Sequence, residues 1–531
     1  MIGPAVWSCL MLNCTDTMKT VNLLKTVPLT GVALLAGCSG SPQKPQKPNV
    51  IIIYADDIGY GDLSCNGTAA VSTPNVDSLA EHGIRFTDSH TTSSVSTPSR
   101  YGLLTGQYPW RKAGTGIATG DAGMIIRPEQ YTLADMFREA GYATGAVGKW
   151  HLGLGDKAGT QDWNGTVSPA LADIGFEYSY IMAATGDRVP CVFIEDGKVV
   201  NLDPSDPIQV SYTTPFVGEP LARDHPELLR IHPSQGHDQA IINGIPRIGY
   251  MKGGKSALWR DEDIADSITV HALDFIAEHK DEPFFLYLGT NDIHVPRVPH
   301  ERFAGKSGLG PRGDALLSFD ETVGRVMKCL EELGIDDNTV VILSSDNGPV
   351  VDDGYQDQAW ELLGDHRPWA DFRGGKYSAF EAGTRVPMIV SWGDRFNGTV
   401  SDALFSHIDF FASLAALIGA GIPDDAAPDS RNAIDVLTGK DLTGRDYVIE
   451  QNVNSTLSVM DSEGWKYIEP SDAPAIEFYT GMELGNSPDG QLYNVSDAKY
   501  EKDNLIREFP AKAAELKKVL ETETAKGKAA K

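Results

Sequence analysis

The feature that most constrains the fold is an unbroken apolar run, Asn49–Ala55, in which most side chains are β-branched. A run without alternating polar residues is typical of a strand that is buried on both faces, as in a parallel sheet covered by helices. Residues 338–345 have the same character, and segments with helical spacing, such as 74–82 and 132–140, lie between the two runs. Alternating strands and helices predict an α/β fold with a large, mostly parallel mixed sheet.

Polar side chains follow both apolar runs. Asp56 and Asp57 come directly after the first run, and Asp346 and Asn347 come directly after the second. Ligands of open α/β sheets gather at the carboxyl ends of strands, and adjacent buried carboxylates are costly unless a cation holds them. All four residues offer hard oxygen atoms, which favours Ca²⁺ or Mg²⁺ over zinc. The alternative is an ordinary polar loop after each strand.

The stretch from Ser96 to Gly106 places a hydroxyl close to the start of a predicted helix. Pro98 suits a first helical turn, because its fixed φ is helical and its missing N–H is not needed there. The helix start favours an anion, and Arg100 lies one turn further on, where it can face the same ligand. These residues predict a pocket for a sulfate or phosphate ester. The alternative is a capped helix with a surface Arg.

Three motifs resemble the formylglycine-dependent sulfatases. The first is Ser-Thr-Pro-Ser-Arg at residues 96–100, followed by Leu-Leu-Thr-Gly at 103–106. The others are Gly-Lys-Trp-His-Leu-Gly at 148–153 and Arg-Gly-Gly-Lys at 373–376, the latter followed by Glu-Ala-Gly-Thr-Arg-Val-Pro. The family has Gly where Ala382 stands, which is a small departure. The resemblance spans about residues 49–505 and implies an alkaline-phosphatase-like fold, whose sheet is sandwiched by helices and joined to a smaller C-terminal antiparallel-sheet subdomain.

The resemblance implies a modified residue and a bound metal. Ser96 is the residue that the family oxidises to an aldehyde, so a serine-oxidising formylglycine-generating enzyme is an implied partner. Asp56, Asp57, Asp346 and Asn347 match residues that bind a divalent cation together with formylglycine, usually Ca²⁺ and less often Mg²⁺. The expected ligand set is therefore these four residues and Ser96.

The resemblance also implies roles around the sulfate ester. Sulfate esters are anions that repel nucleophiles, so hydrolysis needs charge neutralisation and protonation of the leaving group. Arg100 and Lys149 are expected to neutralise the sulfate, and His151 to hold the hydrate of the aldehyde and act as its base. His294 is expected to bind or protonate the bridging oxygen, and Lys376 to contact both the sulfate and the leaving oxygen.

The N-terminus has the features of an export signal. Residues 1–38 combine a basic and an apolar segment, and Leu-Ala-Gly-Cys at 35–38 resembles a bacterial lipobox, in which Cys38 would carry the lipid. An ordinary signal peptide without a lipid is the alternative. Residues 39–48 read as a tether, 49–425 as the catalytic sulfatase domain and 426–531 as a C-terminal α+β subdomain. We therefore expect an exported bacterial lipoprotein, periplasmic or anchored in the outer membrane.

The formal charge of −28 narrows the choice of partners. It argues against nucleic acid or an anionic membrane surface, so the lipid on Cys38 is the expected membrane contact. A sulfated carbohydrate is the expected substrate, with 6-sulfated galactose or N-acetylgalactosamine as the specific hypothesis and exo action as the expected mode. Residues 156–255 are expected to contribute selectivity, and five of their side chains are candidates, although each is more typical of a structural role: Asp187, Arg188, His225, His232 and His237.

Two other functions stay open at this point. Related folds hydrolyse phosphate and phosphonate esters, so a phosphoesterase that uses an unmodified Ser96 is the first alternative. The second is an inactive lipoprotein that binds sulfated glycans without oxidising Ser96.

Overall fold

The computed structural model describes residues 47–67, 70–496 and 501–527, so the predicted leader, its lipobox and most of the tether lie outside the described residues. The described part is built on a mixed sheet of ten strands. In chain order the strands are Asn49–Ala55 (β1), Ile84–Phe86 (β2), Ala143–Lys149 (β3), Tyr178–Met182 (β4), Phe193–Glu195 (β5), Lys198–Val199 (β6), Phe284–Gly289 (β7), Thr339–Ser345 (β8), Met388–Trp392 (β9) and Thr399–Ser401 (β10). Their spatial order across the sheet is β10-β2-β9-β8-β1-β7-β3-β4-β5-β6.

The five central strands, β8, β1, β7, β3 and β4, run parallel to one another, and the strands that flank them are mostly antiparallel. Every residue of β1 and of β8 is buried, as expected for strands covered on both faces. The prediction of a large, mostly parallel mixed sheet is therefore confirmed.

Helices cover the sheet, and the two segments predicted as helical at 74–82 and 132–140 correspond to α-helices with closely similar bounds. The helices are Pro74–Glu81 (α1), Ser96–Thr105 (α2), Leu133–Glu139 (α3), Ile264–Glu278 (α4), Gly310–Leu333 (α5), Glu381–Thr384 (α6), Phe410–Ile418 (α7), Ile434–Leu437 (α8) and Pro510–Ala525 (α9). Thr132 caps α3 by accepting a hydrogen bond from the Asp135 N–H at 3.1 Å, as its sequence predicts.

A second sheet of four antiparallel strands is formed by residues near the C-terminus. Its strands are Tyr447–Gln451 (β11), Leu457–Asp461 (β12), Trp465–Ile468 (β13) and Gln491–Asn494 (β14), and they lie in this order across the sheet. Leu516 and Leu520 of α9 pack on this sheet in one apolar cluster with Ile449 and Leu492. The predicted C-terminal antiparallel sheet is confirmed. The described residues from Lys47 onward form one compact unit, and a domain boundary at residue 425 stays a prediction.

The remaining strands form short two-stranded pairs, namely Ser89–His90 with Phe405–Ser406, Gln209–Ser211 with Tyr250–Lys252, and Ile241–Ile242 with Ile245–Pro246. In the part of the chain that the structure describes, no helix combines the length and the apolar character needed to cross a bilayer.

Candidate active site

Four neighbouring strands end side by side, and polar residues follow or finish each of them. The register pairs Ala55, the last residue of β1, with Ser345, the last residue of β8. The parallel arrangement therefore brings the two polar pairs that follow these strands together. The side chains at this edge are Asp56 and Asp57 after β1, Asp346 and Asn347 after β8, Lys149 at the end of β3 and His294 after β7.

The four predicted metal ligands that accompany Ser96 are fully buried, and hydrogen bonds join three of them. The Asn347 amide donates to Asp57 Oδ1 at 2.8 Å, and the Asp57 backbone N–H donates to Asp346 Oδ1 at 3.3 Å. Asp57 has a left-handed backbone, with φ of 59°, which is strained for a residue with a side chain. Asp56 Oδ2 is buried and accepts no hydrogen bond from the described residues.

This donor set fits a hard divalent cation. Burial raises the pKa of Asp56 to about 8. The charge of Lys149 lowers this pKa, and the charges of Asp346 and Asp57 raise it further. Carboxylate and amide oxygens are the ligands that such cations prefer, and an unpartnered buried carboxylate oxygen is costly without one. His294 also approaches this group, since its ring lies with Asp56 and Asp57 in a cluster whose ligand atoms are within 4.8 Å of one another. His294 was not in the predicted ligand set.

Ser96 is the first residue of α2 and is buried at the floor of a cavity. Its hydroxyl accepts a hydrogen bond from Lys149 Nζ at 2.8 Å and donates to Asn347 Oδ1 at 3.3 Å. The helix ends at Gly106, whose φ of 60° gives the left-handed C-cap that glycine favours. The predicted helix start is confirmed, and it brings residue 96 against the predicted metal ligands.

Arg100 and Lys149 lie beneath the cavity, and neither is among the described residues that line it. The Arg100 guanidinium donates twice to Asp346 Oδ2, at 2.8 and 3.0 Å, and to the Tyr287 hydroxyl at 2.7 Å. Lys149 Nζ donates to Asp56 Oδ1 at 2.5 Å. Arg100 therefore meets the ligand site through Asp346, although its spacing predicts a side chain that faces the ligand directly.

His151 lines the cavity beside Ser96. Its backbone φ of 57° shows that a left-handed turn positions the ring, and not the strand alternation with Lys149 that the sequence predicts. The ring donates through Nε2 to the Ala118 carbonyl oxygen at 3.0 Å, and its buried Nδ1 has no hydrogen-bond partner among the described residues. Burial, helped by Lys149, holds the pKa of His151 well below its usual value, so the ring is neutral with a free lone pair on Nδ1.

His294 and Lys376 face the cavity from the other side. His294 donates through Nδ1 to the Val295 carbonyl oxygen at 2.7 Å, which leaves Nε2 3.9 Å from Asp57 Oδ2. Burial and the charge of Lys376 hold the pKa of His294 well below its usual value. Burial disfavours the charge of Lys376, yet Asp353 and Asp57, each 2.8 Å from Nζ, hold its pKa well above the usual value.

Three of the five loop candidates form a charged group on the cavity wall. Asp187 accepts from His237 Nε2 at 2.9 Å and from Arg188 Nη1 at 2.8 Å, and all three residues line the cavity. His225 and His232 are exposed and are not among the lining residues. The cavity has a volume of about 550 Å³, within the range of small-molecule sites.

Sequence reasoning missed two parts of this site. Asp353 accepts from Lys376 and from the Tyr377 hydroxyl, the latter at 2.9 Å. The only signal for it was a pair of acidic residues shortly after Asn347. The loop between β13 and β14, residues 469–490, supplies much of the cavity rim, and none of the recognised motifs lies in it.

A hydroxyl at a helix start, buried among cationic side chains and carboxylates that fit a divalent cation at one edge of a mixed sheet, defines a hydrolase of the alkaline-phosphatase-like superfamily. The sequence profile of the sulfatase family matches residues 48–420. The chain belongs to the sulfatase family, and it is an enzyme that hydrolyses sulfate esters.

The similar proteins agree with this assignment. The chain is 57% identical to the N-acetylgalactosamine-6-O-sulfatase of Bacteroides thetaiotaomicron over 510 residues, which cover 95% of this chain and 99% of the relative. A solved structure from work on glycosaminoglycan metabolism by the same organism matches with a TM-score of 0.89 and 57% identity, covering 90% of this chain and 100% of that one. The phosphonate monoester hydrolase of Agrobacterium radiobacter shares the fold, with a TM-score of 0.56 at 18% identity over 90% of this chain and 96% of that one.

Proposed function

We propose that this sulfatase removes the 6-sulfate from terminal N-acetylgalactosamine residues of sulfated glycans. The observation that carries the proposal is the 57% identity, over nearly the whole of both chains, to a relative named for that activity. The charged group of Asp187, Arg188 and His237 supports it, because its fixed donors and acceptors face the cavity where sugar hydroxyls would lie. A 6-sulfated galactose, which carries a 2-hydroxyl in place of the acetamido group, is the second substrate to test.

Residue 96 is the proposed site of formylglycine. Its place at a helix start, with Lys149 and Asn347 in hydrogen-bond contact, gives a polar pocket for an aldehyde in place of the hydroxyl. When formed, the aldehyde supplies, as its hydrate, the nucleophile for the sulfur atom. This requires a serine-oxidising enzyme as a maturation partner. His151, neutral and with a free Nδ1, lines the same cavity as residue 96, so we assign it to take a proton from a hydroxyl on that residue.

Ca²⁺ is the proposed metal, with Mg²⁺ as the less favoured alternative. Asp56, Asp57, Asp346 and Asn347 would hold it beside residue 96, and its chemistry is to neutralise sulfate oxygens. The oxygen-rich set and the unpartnered Asp56 Oδ2 support this choice.

The cationic side chains divide into two groups. We assign Lys149 and Arg100 to holding Asp56 and Asp346 in place from below, with Lys149 also oriented toward residue 96. Lys376 lines the cavity and stays charged, so it can bind the sulfate and the oxygen of the departing sugar. His294 has its proton on Nδ1, so Nε2 must gain a proton before it can protonate the bridging oxygen.

Export as a lipoprotein is a further part of the proposal. A lipid on Cys38 would place the enzyme in the periplasm or on the outer membrane, where extracellular glycans arrive. Growth with radiolabelled palmitate tests it, with Cys38→Ala as the comparison.

The test of the reaction uses protein co-expressed with a serine-oxidising maturation enzyme. The panel contains 6-sulfated N-acetylgalactosamine, galactose and N-acetylglucosamine, an aryl sulfate and the matched phosphate esters, with mass analysis of the peptide that contains residue 96. Sulfate release fastest from 6-sulfated N-acetylgalactosamine, with an aldehyde at residue 96, is the expected result.

The variants Ser96→Ala and Ser205→Ala provide the matched comparison, since Ser205 is exposed and outside the cavity. Ser96→Ala should lose turnover and Ser205→Ala should keep it. Faster phosphate release by protein with an unmodified serine would instead identify a phosphoesterase. Binding of sulfated sugar without turnover, again with an unmodified serine, would identify a binding protein.

A further inference from the structure

The rim of the catalytic cavity carries exposed apolar side chains that the proposed reaction does not use. Ile476, Phe478 and Tyr479, here called the aromatic rim, belong to the loop 469–490 and line the cavity opening. Phe478 is 87% exposed and Tyr479 is 52% exposed. Large apolar side chains that remain exposed next to a cavity mark a binding surface, because each costs free energy in water.

Hydrogen bonds within the loop hold the aromatic rim in place. The Glu477 carboxylate accepts from the backbone N–H of Tyr479 at 2.7 Å and of Thr480 at 2.6 Å. The Glu477 N–H donates to the Met482 carbonyl oxygen at 2.8 Å, which closes the turn. Phe478 and Tyr479 meet edge to face, with ring centroids 5.1 Å apart. A backbone turn fixed in this way leaves less loop entropy to lose when a ligand binds.

Polarity changes from the floor of the cavity to its rim. Ser96, His151 and Lys376 lie at the floor, where the sulfate is proposed to bind. Among the described residues that the C-terminal part of the chain contributes to the lining, none is Lys or Arg, and the Glu477 carboxylate is occupied by its own loop. These residues are Val453, Asn454, Pro474, Ile476, Glu477, Phe478, Tyr479, Thr480 and Leu484.

A ligand at the rim therefore needs an apolar face and no negative charge. A neutral pyranose has such a face in its ring C–H groups, which stack on aromatic rings. The Lys and Arg side chains elsewhere in the lining, Lys376 and Arg188, are each paired with an Asp carboxylate. A uronate at the rim would therefore bring a carboxylate without an unpaired Lys or Arg partner among the described lining residues.

We propose that the aromatic rim is a second sugar subsite, which binds a neutral pyranose linked to the sulfated residue. The subsite deepens the proposed function and rests on it. Ser96 and Phe478 line the same cavity, so the proposal has a disaccharide bind with its sulfate at the floor and its second ring on Phe478.

The test compares kcat/KM for three substrates of the matured enzyme. They are the methyl glycoside of 6-sulfated N-acetylgalactosamine, its disaccharide with a neutral galactose, and its disaccharide with a glucuronate. The ratio of neutral disaccharide to monosaccharide should exceed one in the unmodified sequence. Phe478→Ala should lower this ratio about three- to tenfold, mostly through KM, as the loss of one aromatic contact predicts.

Two further variants make the result specific. Phe478→Trp keeps an aromatic face and should keep the ratio. Trp360→Ala is the matched control, because Trp360 is 53% exposed, like Tyr479, and is not among the lining residues; its ratio should not change.

The outcomes separate this inference from the proposed function. Turnover of the monosaccharide with an unchanged ratio in Phe478→Ala overturns the subsite alone. An equal loss on both substrates also overturns it, since the ring would then act on the first sugar. A preference for the glucuronate disaccharide overturns the neutral pyranose. Failure to hydrolyse any 6-sulfated sugar overturns both the proposed function and the subsite.

Discussion

Replacement of Lys466 should destabilise the whole fold, because this lysine holds together a buried ion network between the C-terminal sheet and α6. Lys466 Nζ lies 2.9 Å from Glu450 Oε2 and 3.1 Å from Glu381 Oε2. None of the three side chains is more than 1% exposed. The network joins β13 and β11 of the C-terminal sheet to α6, which begins at Glu381 of the sulfatase motif. His90 Nδ1 extends it with a hydrogen bond to Glu450 Oε1 of 2.7 Å.

The magnitude follows from the burial of these charges. Burial disfavours an ionised Glu450, yet Lys466 and His90 outweigh it and hold its pKa below the usual value, so this carboxylate is charged in the native state. Lys466→Met keeps most of the side-chain volume and removes the cation, which leaves Glu450 and Glu381 without their shared partner. Breaking a buried pair in this way costs about 3–5 kcal/mol.

Urea unfolding followed by tryptophan fluorescence measures this loss, and Trp465 lies next to the substituted residue. Lys512→Met is the matched control, because Lys512 contacts Asp461 at 3.0 Å from a side chain that is 19% exposed. Its removal should cost less than about 1 kcal/mol. Equal free energies of unfolding for Lys466→Met and Lys512→Met would refute the argument that Lys466 holds the network.

Three other predictions follow from the described structure. Burial raises the pKa of Glu501 from 4.5 to about 8, against the charge of Lys466. Between these two pKa values the native state binds a proton that the unfolded chain releases, so the free energy of unfolding should fall as the pH rises from 4.5 to about 8. Urea titrations at several pH values measure this dependence, and Glu501→Gln should weaken it. The Gly383→Ala variant should unfold at a clearly lower temperature than the unmodified protein, because the added Cβ would lie 2.2 Å from the Ser378 carbonyl oxygen. The neighbouring change Ala382→Gly should lower the free energy of unfolding by no more than about 1 kcal/mol. In scanning fluorimetry, EDTA should lower the melting temperature, and Ca²⁺ should restore it better than Mg²⁺. Asp56→Asn should remove this response to Ca²⁺. A melting temperature that EDTA leaves unchanged would argue against the metal site.

Buried strands were predictable because their signal is local. The apolar runs that form β1 and β8 are buried throughout, and an unbroken β-branched run has few other uses in a protein of this size. The start of α5 was less predictable. Apolar periodicity begins only at Ala315, whereas the helix itself begins at Gly310. Pro311 stands in its first turn, where proline is tolerated, and residues 310–314 carry no apolar pattern that indicates a helix.

The active-site residues also differ in how well the sequence predicts their positions. Residues directly after a strand, such as Asp56 and Asp346, are tied to the sheet edge, so the strand prediction also positions them. Asp353 and Phe478 reach the cavity through long loops, and no local pattern gives the path of such a loop. His151 lies between these cases, since its motif was recognised while its left-handed backbone was not foreseen.

The balance of charge around residue 96 connects the metal site with the substrate. An enzyme with a formal charge of −28 needs a locally positive site to bind a sulfate ester. His151 and His294 are neutral, so the sign depends on the acidic and basic side chains. Three cations contact four carboxyl groups there, which gives a formal charge of minus one when all four are ionised: Arg100, Lys149 and Lys376 with Asp56, Asp57, Asp346 and Asp353. A divalent cation would change this charge to plus one. The same ion that satisfies Asp56 would therefore make the pocket attractive to an anion, and Arg100 and Lys149 would hold its ligands without neutralising all of them.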